Sequence, residues 1–512
     1  MFFRKIRIYI SFLVLTLIVL SFLGGEEISS FLSSKILFFQ FTPAFLKSLQ
    51  LNILACLILV LLLLLTFFFG RIYCSCLCPL GILQDLVIYL SKKVKKKAYH
   101  YQKPDFIFHY TIFLLTASSF ILGTLVLVNF LDPYSFFGRI IVHLFKPPLA
   151  FTNNILVAFL EYFDFFLFSQ VKTIFANPVV LAFSVSIFSI LTFLSFFYGR
   201  LYCNKICPVG AILRLISHFS LFKIKIKQEK CINCQLCEKS CRAQCIDSSK
   251  VKIDSSRCVL CFDCFKACPQ ILISYSYRLT KTKLLESDPE RRIFLKKLSY
   301  LSAGLIGLSF PSRLFSKPII KQKRAIPVTP PGSGGVDSFS EKCTACHLCV
   351  TACPTQVLRP SWLEYGLQGI MQPVLDYQKN YCEYECNTCS HVCPTGAIKP
   401  LSLPDKQLTQ LGKVQLFKER CIVYINKRDC GACAEVCPTH AVYTEEKDNV
   451  FYPKTRTEPC NGCGACQYVC PADPKAIMVK GNVIHKRSQK PFFEKSEVNK
   501  KQQIKEVEDF PF

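Results

Sequence analysis

The chain has 512 residues, which is enough for several domains because a single hydrophobic core rarely grows beyond about 250–300 residues. Half of the residues (51%) are hydrophobic, and this excludes a disordered chain. The net charge of +27 is concentrated in basic clusters beside apolar runs, as at 91–97 and 222–227; this positive-inside pattern favours a membrane as partner and not a nucleic acid.

Four apolar stretches are long enough to cross a bilayer, which takes about 20 residues. They lie at 6–24, 48–69, 106–131 and 174–198. A weaker segment, 149–168, carries Glu161 and Asp164 and is predicted to be an amphipathic helix at the interface. The basic flanks place the N-terminus and residues 199–291 in the cytoplasm, so the sequence predicts a multi-pass protein of a bacterial inner membrane.

A sequence repeat follows two of these stretches. GRIYCSCLCPLG (70–81) and GRLYCNKICPVG (199–210) share the frame G-R-x-Y-C-x-x-x-C-P-x-G. We therefore assign residues 1–220 to a four-span membrane domain. If the repeats meet, four thiols converge, and they could hold a further metal centre, form a redox dithiol or simply stabilise turns: Cys74, Cys78, Cys203 and Cys207.

Residues 221–280 carry two C-x2-C-x2-C-x3-C runs, which is the spacing of a two-cluster ferredoxin domain. In this pattern the fourth cysteine of each run binds the other cluster. The spacing thus predicts two [4Fe–4S] clusters, one held by Cys231, Cys234, Cys237 and Cys268 and one by Cys258, Cys261, Cys264 and Cys241. A structural zinc site is the alternative. Cys245 is an additional cysteine, and Cys241 lacks the proline that usually follows.

An export signal is predicted inside the chain, at 285–311. ERRIFLK (290–296) matches the twin-arginine pattern and precedes an apolar run of 13 residues, and no A-x-A site follows, so we predict an uncleaved anchor. A short amphipathic helix in a wholly cytoplasmic chain is the alternative, which the basic residues after the run support. A Pro/Gly-rich linker occupies 312–336.

A second cysteine-rich domain is predicted at 337–485, before a polar tail at 486–512. Its four runs each end in Cys-Pro, so they predict four more [4Fe–4S] clusters, about six in all. Spacing leaves the pairing of these runs open. His347, His391 and His440 lie beside the cysteines and are interpreted as loop or supporting residues. The sixteen cysteines are Cys343, Cys346, Cys349, Cys353, Cys382, Cys386, Cys389, Cys393, Cys421, Cys430, Cys433, Cys437, Cys460, Cys463, Cys466 and Cys470.

The fold class that follows is multi-domain: an α-helical membrane bundle of four spans and a signal-anchor, with α+β ferredoxin-like domains that bind multiple [4Fe–4S] clusters. The motifs of the first 275 residues resemble the NapH type of membrane protein, which is related to NosR. Residues 285–485 resemble the NapG/MauM type of exported ferredoxin, with its PPG linker at 330–332. This resemblance implies electron transfer to a periplasmic partner, with residues 312–512 in the periplasm.

The leading hypothesis is therefore an electron-transfer component that takes electrons from the quinone pool, or from a cytoplasmic donor, and passes them to a periplasmic reductase or small electron carrier. No catalytic residue is assigned, and the sequence leaves open whether the chain acts as a quinol dehydrogenase. An accessory role in maturing or re-reducing a metalloenzyme, and a redox sensor, are the alternatives. Quinol oxidation needs proton acceptors, for which the candidates are Asp132, His143, Glu161 and Asp164.

Overall fold

The structure is a computed structural model that describes residues 2–24, 28–32, 39–95, 99–166, 169–171, 177–277 and 326–491. The predicted signal-anchor at 285–311 lies outside the described residues, as do most of the linker and of the tail. The chain divides into two compact units. Unit 1 comprises residues 1–19, 38–137 and 185–323, and unit 2 comprises 20–37, 138–184 and 324–512.

Three helices among the described residues are long and apolar enough to cross a membrane: Phe2–Leu23, Pro133–Glu161 and Pro178–Tyr198. Two of the predicted spans are shorter. The stretch 48–69 contains the helix Ile53–Phe69. Asn52 caps its N-terminus, since its side chain accepts a hydrogen bond from the backbone N–H of Ala55. The predicted count of four spans is therefore not confirmed.

The predicted span at 106–131 is two helices, Phe106–Ile121 and Val126–Leu131. Between them Gly123 adopts a φ of +77°, and the hydroxyl of Ser119 donates to the backbone oxygen of Thr124 at 2.9 Å. Hydroxyl side chains that bond to nearby backbone compete with helical hydrogen bonds, and glycine tolerates the left-handed turn. The stretch is therefore not one continuous helix, and the span predicted there is not confirmed.

The segment expected as a separate interfacial helix continues a longer one. The helix Pro133–Ile140 passes through a π-helical turn, Ile141–Phe145, into the helix Lys146–Glu161. Pro147 and Pro148 have no N–H to donate, so the regular pattern of helical bonds is interrupted where the π turn lies.

The remaining elements of unit 1 are two strand pairs and helices that are mostly short, apart from Pro79–Lys95 and Pro208–His218. Its antiparallel strand pairs are Phe222–Ile226 with Ile273–Tyr277, and Ile246–Asp247 with Lys252–Ile253. Its other helices are Phe41–Ser48, Tyr73–Cys76, Pro79–Lys95, Leu201–Lys205, Pro208–His218, Leu236–Ser240 and Asp263–Ala267.

The C-terminal part of unit 2 also consists of antiparallel strand pairs and short helices. Its strand pairs are Leu358–Pro360 with Pro373–Leu375, Thr409–Leu416 with Ile477–Arg487, and Val442–Lys447 with Val450–Thr455. Its helices are Val336–Ser340, Leu348–Thr351, Thr388–Val392, Leu403–Gln407, Ile422–Asn426, Ala432–Glu435 and Ala465–Val469. The core consists largely of cysteines and small aliphatic residues. These domains mix short helices and strands as expected, and the ferredoxin-like fold itself stays a prediction.

Candidate iron–sulfur sites

The regular cysteine runs share one local conformation. In each C-x2-C-x2-C run, the residues on either side of the second cysteine have positive φ. Left-handed backbone costs a residue other than glycine about 1–2 kcal/mol, so it persists only where the surroundings require it. The pairs are Asn233 and Gln235, Leu260 and Phe262, Ala345 and His347, and Gly462 and Gly464.

This turn presents backbone N–H groups to sulfur. The N–H groups of Ala345 and Gly462 are hydrogen-bonded to the sulfurs of Cys343 and Cys460. Successive N–H groups in such turns form concavities that bind anions, Fe–S sites among them. A cluster held by thiolates carries negative charge, so the backbone conformation and the donor set both fit a [4Fe–4S] cluster.

In unit 1 the cysteines form two groups. One cavity is lined by Cys231, Cys234, Cys237 and Cys268. The sulfur of Cys264 interacts electrostatically with Cys261, Cys258 and Cys241. In each group the fourth cysteine comes from the other run; that these groups bind clusters stays a prediction.

In unit 2 the fourth cysteine of each run also lies with a neighbouring run, which the spacing had left open. The first two runs exchange Cys353 and Cys393, and the last two exchange Cys437 and Cys470. The four groups are Cys343, Cys346, Cys349 and Cys393; Cys382, Cys386, Cys389 and Cys353; Cys460, Cys463, Cys466 and Cys437; and Cys421, Cys430, Cys433 and Cys470.

The two groups of the first two runs contact the two groups of the last two runs through Cys382 and Cys463. The backbone N–H of Cys382 donates to the oxygen of Cys463 at 2.9 Å, and the two sulfurs interact electrostatically. The hydroxyl of Tyr377, beside both groups, donates to the oxygen of Gly462 at 2.6 Å. The four cysteine groups therefore form a row in which each group is adjacent to the next. The group that contains Cys343 lies at one end and the group that contains Cys421 lies at the other.

Iron–sulfur clusters and single metal ions require different spacings of their ligands. Among the described residues, no group of three or more His, Cys, Asp or Glu side chains is close enough to hold one metal ion. A structural zinc site needs its four ligands around one ion. The four cysteines of a [4Fe–4S] cluster bind separate irons, so their sulfurs lie further apart than the ligands of a single zinc ion.

The four repeat cysteines also come together, in unit 1. Cys207 interacts electrostatically with Cys203, Cys78 and Cys74, and all four are buried. Burial raises the pKa of Cys78, Cys203 and Cys207, and the neighbouring sulfurs raise each further. We call this group the four-thiol centre.

Unit 1 also contains a buried ion-pair network that no sequence motif predicts. Asp85 is buried and accepts hydrogen bonds from Arg7 at 2.8 Å and from Arg200 at 3.0 Å, and a nitrogen of Arg242 lies 3.1 Å away. Burial alone would raise the pKa of Asp85, but the three guanidinium groups hold it well below its usual range. The one member of this network that lies in a sequence motif is Arg200, the arginine of the second repeat.

The proposed proton acceptors differ in their surroundings. Asp132 is buried and accepts hydrogen bonds from Thr42 at 2.5 Å and from the hydroxyl of Ser135 at 2.7 Å. Glu161 and Asp164 are exposed. His143 is buried, and its Nε2 lies 2.7 Å from Nδ1 of His347, whose own Nε2 donates to the oxygen of Met371.

Taken together, the cysteine groups define an iron–sulfur protein. Family models agree: a 4Fe-4S binding domain matches residues 51–97 and 180–227, and a second such model matches 228–244. Two models of a 4Fe-4S dicluster domain match 250–354, and 334–397 with 428–473.

The chain is similar to ferredoxin-type proteins. It is 30% identical to the methylamine utilization ferredoxin-type protein MauM of Methylobacillus flagellatus over 27% of this chain and 58% of that protein. It is 29% identical to the ferredoxin-type protein NapG of Haemophilus influenzae, over 36% and 68% of the two chains. It is also 30% identical to the uncharacterized protein MJ0750 of Methanocaldococcus jannaschii, over 36% and 64%.

The matched stretches span less than two thirds of the length of the first curated relatives. No solved structure matches the chain. These similarities support a ferredoxin-type function in iron–sulfur electron transfer, and with the three apolar helices they are consistent with a membrane location.

Cys245 lies against one of the groups as a fifth sulfur. Its Sγ is 3.6 Å from Sγ of Cys241, and it is also hydrogen-bonded to Cys258. The Cys245 thiol and nearby backbone N–H groups lower the pKa of Cys241 to about 7, against the opposing effect of burial. In the other five runs the equivalent position, four residues after the last cysteine, has no thiol: Leu272, Val357, Ala397, Ala441 and Pro474.

We expect Cys245→Ala to lower the reduction potential of the cluster at Cys258, because hydrogen bonds to cluster sulfurs raise the potential. An EPR-monitored redox titration of the purified chain measures it, and alanine already occupies the equivalent position of two other runs. Cys56→Ala, a change in an apolar helix, is the control and should leave every potential unchanged. Loss of iron in Cys245→Ala would instead make Cys245 a ligand and contradict the prediction.

Proposed function

We propose that this chain is a membrane-bound iron–sulfur protein that takes electrons from a quinol and passes them through [4Fe–4S] clusters to a periplasmic reductase or electron carrier. The observation that carries the proposal is the row of four adjacent cysteine groups in unit 2. When bound, the clusters supply one-electron redox chemistry. The protein's own residues hold the clusters in order and exclude water from their sulfurs.

Contacts within unit 2 support a periplasmic location of the four-cluster domain. The hydroxyl of Thr351 donates to the oxygen of Phe22, near the C-terminal end of the first helix, at 2.8 Å. Val180, near the N-terminal end of the helix Pro178–Tyr198, packs with Ala345 and Met371. The basic N-terminus and the basic residues after 198 favour the cytoplasm for the opposite ends of these helices. The helix ends that contact the four-cluster domain then face the periplasm.

Quinol oxidation is supported by the position of His143. This histidine lies in the apolar helical run Pro133–Glu161 and is hydrogen-bonded to His347, the residue that follows Cys346. A quinol that releases electrons to the first group of unit 2 would therefore find an imidazole nearby, the kind of side chain that most often accepts protons.

A cytoplasmic donor is the second candidate, and unit 1 supplies the observation that favours it. Cys234 is exposed, and two apolar side chains beside the same cysteine group, Ile232 and Ile271, are 63% and 83% exposed. An exposed apolar rim at a cluster suits the docking of a small electron-carrying protein.

Topology is tested by inserting one protease site at each of two exposed loops of the full chain. The loop at Asp448–Asn449 lies in the four-cluster domain, and the loop at Ser249–Lys250 lies in the two-cluster domain. We expect protease added to intact spheroplasts to cut only the first, and lysis to expose the second. Protection of both sites until lysis would contradict the periplasmic assignment.

The donor is tested on membranes that contain the full chain. A menaquinol analogue should bleach the visible absorbance of the clusters, and His143→Gln should slow this reduction while dithionite still reduces every cluster. Reduction by a cytoplasmic ferredoxin but not by the quinol would favour the second candidate.

A further inference from the structure

We propose that the four-thiol centre (Cys74, Cys78, Cys203 and Cys207) binds one additional iron–sulfur cluster, shared by the two sequence repeats. The proposal goes beyond the function proposed above, which uses only the 24 cysteines of the six runs. Each stretch that matches the 4Fe-4S binding domain contains one repeat. The second stretch, 180–227, has only Cys203 and Cys207, so it cannot supply four ligands by itself.

The repeats are joined by reciprocal contacts of their arginines. Nη2 of Arg71, from the first repeat, donates to the backbone oxygen of Cys203 at 3.0 Å. Nη1 of Arg200, from the second repeat, donates to the backbone oxygen of Cys74 at 2.7 Å. The arginine of each repeat thus donates to the first cysteine of the other repeat's frame. These two contacts bring the two frame cysteines of each repeat together in the four-thiol centre.

The glycine that ends each repeat is required for these contacts. A Cβ on Gly81 would lie 2.2 Å from the oxygen of Cys74 and 2.8 Å from Nη1 of Arg200. A Cβ on Gly210 would lie 2.3 Å from the oxygen of Cys203 and 3.1 Å from Nη2 of Arg71. The backbone N–H of Gly210 also donates to the sulfur of Cys207 at 3.3 Å, as peptide groups do at iron–sulfur sites.

The charge of Arg71 indicates that the centre holds an anion. Arg71 is fully buried, and its hydrogen bonds go to neutral oxygens of Asn204 and Cys203. Its Nε has no hydrogen-bond partner among the described residues, while Nη2 lies 3.9 Å from the sulfur of Cys74. A buried guanidinium needs a counter-charge. Four thiolates on a cluster supply one at this place.

The alternatives fit less well. The thiols are not disulfide-bonded, and no set of three described side chains is close enough for a single ion. An iron–sulfur cluster accepts four thiolates that are more widely spaced, since they are distributed over more than one iron. A [4Fe–4S] cluster takes one thiolate on each of four irons, and a [2Fe–2S] cluster takes two on each of two irons.

The test is the iron and acid-labile sulfide content of the full chain, with Mössbauer spectra of the purified protein. The wild-type chain should contain more iron than six [4Fe–4S] clusters hold. Cys207→Ala and Cys74→Ala should each lose the iron of one cluster, two atoms for [2Fe–2S] or four for [4Fe–4S], with the other signals unchanged. Cys76→Ala is the matched control, because Cys76 is buried in the same turn but lies outside the shared frame.

Two results would overturn the proposal. One is a wild-type chain with only the iron of six clusters; this measurement does not depend on whether a variant folds. The other is a disulfide among the four cysteines, found by alkylation and mass spectrometry of the unreduced protein. Neither result bears on the quinol or topology experiments, so the two proposals fail separately.

Discussion

Replacing Cys353 with alanine is expected to remove the cluster of Cys382, Cys386 and Cys389, and not the cluster of its own run. The sulfur of Cys353 interacts with Cys382 and Cys389, whereas the other three cysteines of its run lie with Cys393. Metal binding and local folding are coupled in such sites, so loss of one ligand should release the cluster or convert it to a smaller one.

The prediction is checked by comparing EPR and Mössbauer spectra of four variants. Cys353→Ala should match Cys389→Ala, and Cys393→Ala should match Cys349→Ala. Because the affected group is the second of four, we also expect electron transfer through unit 2 to be interrupted while the remaining clusters are still reducible by dithionite. Cys56→Ala serves as the control. If Cys353→Ala instead matched Cys349→Ala, the exchange of cysteines would be refuted.

Replacing Asp85 with asparagine is expected to be the most destabilising single change in unit 1. Its carboxylate faces three buried arginines, Arg7, Arg200 and Arg242, and they belong to the first helix, the second repeat and the two-cluster domain. Arg242 is further paired with Asp263, at 2.5 Å. Removing one partner of a buried ion pair costs about 3–5 kcal/mol, because the remaining charges stay buried without compensation.

Thermal unfolding in detergent, followed by the loss of cluster absorbance, measures this effect. Asp85→Glu keeps the charge and should retain most of the stability. Asp105→Asn is the matched control: its ion pair with Lys205 is long, at 3.8 Å, and exposed, and such pairs contribute about 0–1 kcal/mol. Equal melting of Asp85→Asn and Asp105→Asn would contradict the assigned role. A full loss of protein in Asp85→Asn but not in Asp85→Glu would support it.

The cysteine runs could be predicted from the sequence because the cysteines of one run lie close together in the chain. Three cysteines within seven residues, as at Cys231 to Cys237, can form one turn whatever surrounds it, and the structure has the same left-handed residues in all four regular runs. The irregular runs at Cys382 and Cys421 are less local, and spacing alone did not give their partners.

The helices of the membrane part were harder to predict, since hydropathy does not report interruptions. Residues 106–131 contain no Asp, Glu, Lys or Arg, yet Gly123 and the hydroxyls of Ser119 and Thr124 end one helix and begin another. In the same way Pro147 and Pro148 mark a change of helical register inside a run that continues to Glu161.

The sequence predicts cysteines at cluster spacing, apolar stretches and a repeated frame, because each of these depends on residues close together in the chain. The folded chain adds which cysteines of unit 2 share a group, that the two repeats meet through Arg71 and Arg200, and that Asp85 balances three arginines. The contacts of Arg71, Arg200 and Asp85 join residues 78 to 157 positions apart. Their energies come from burial and charge, which no local pattern of residues specifies.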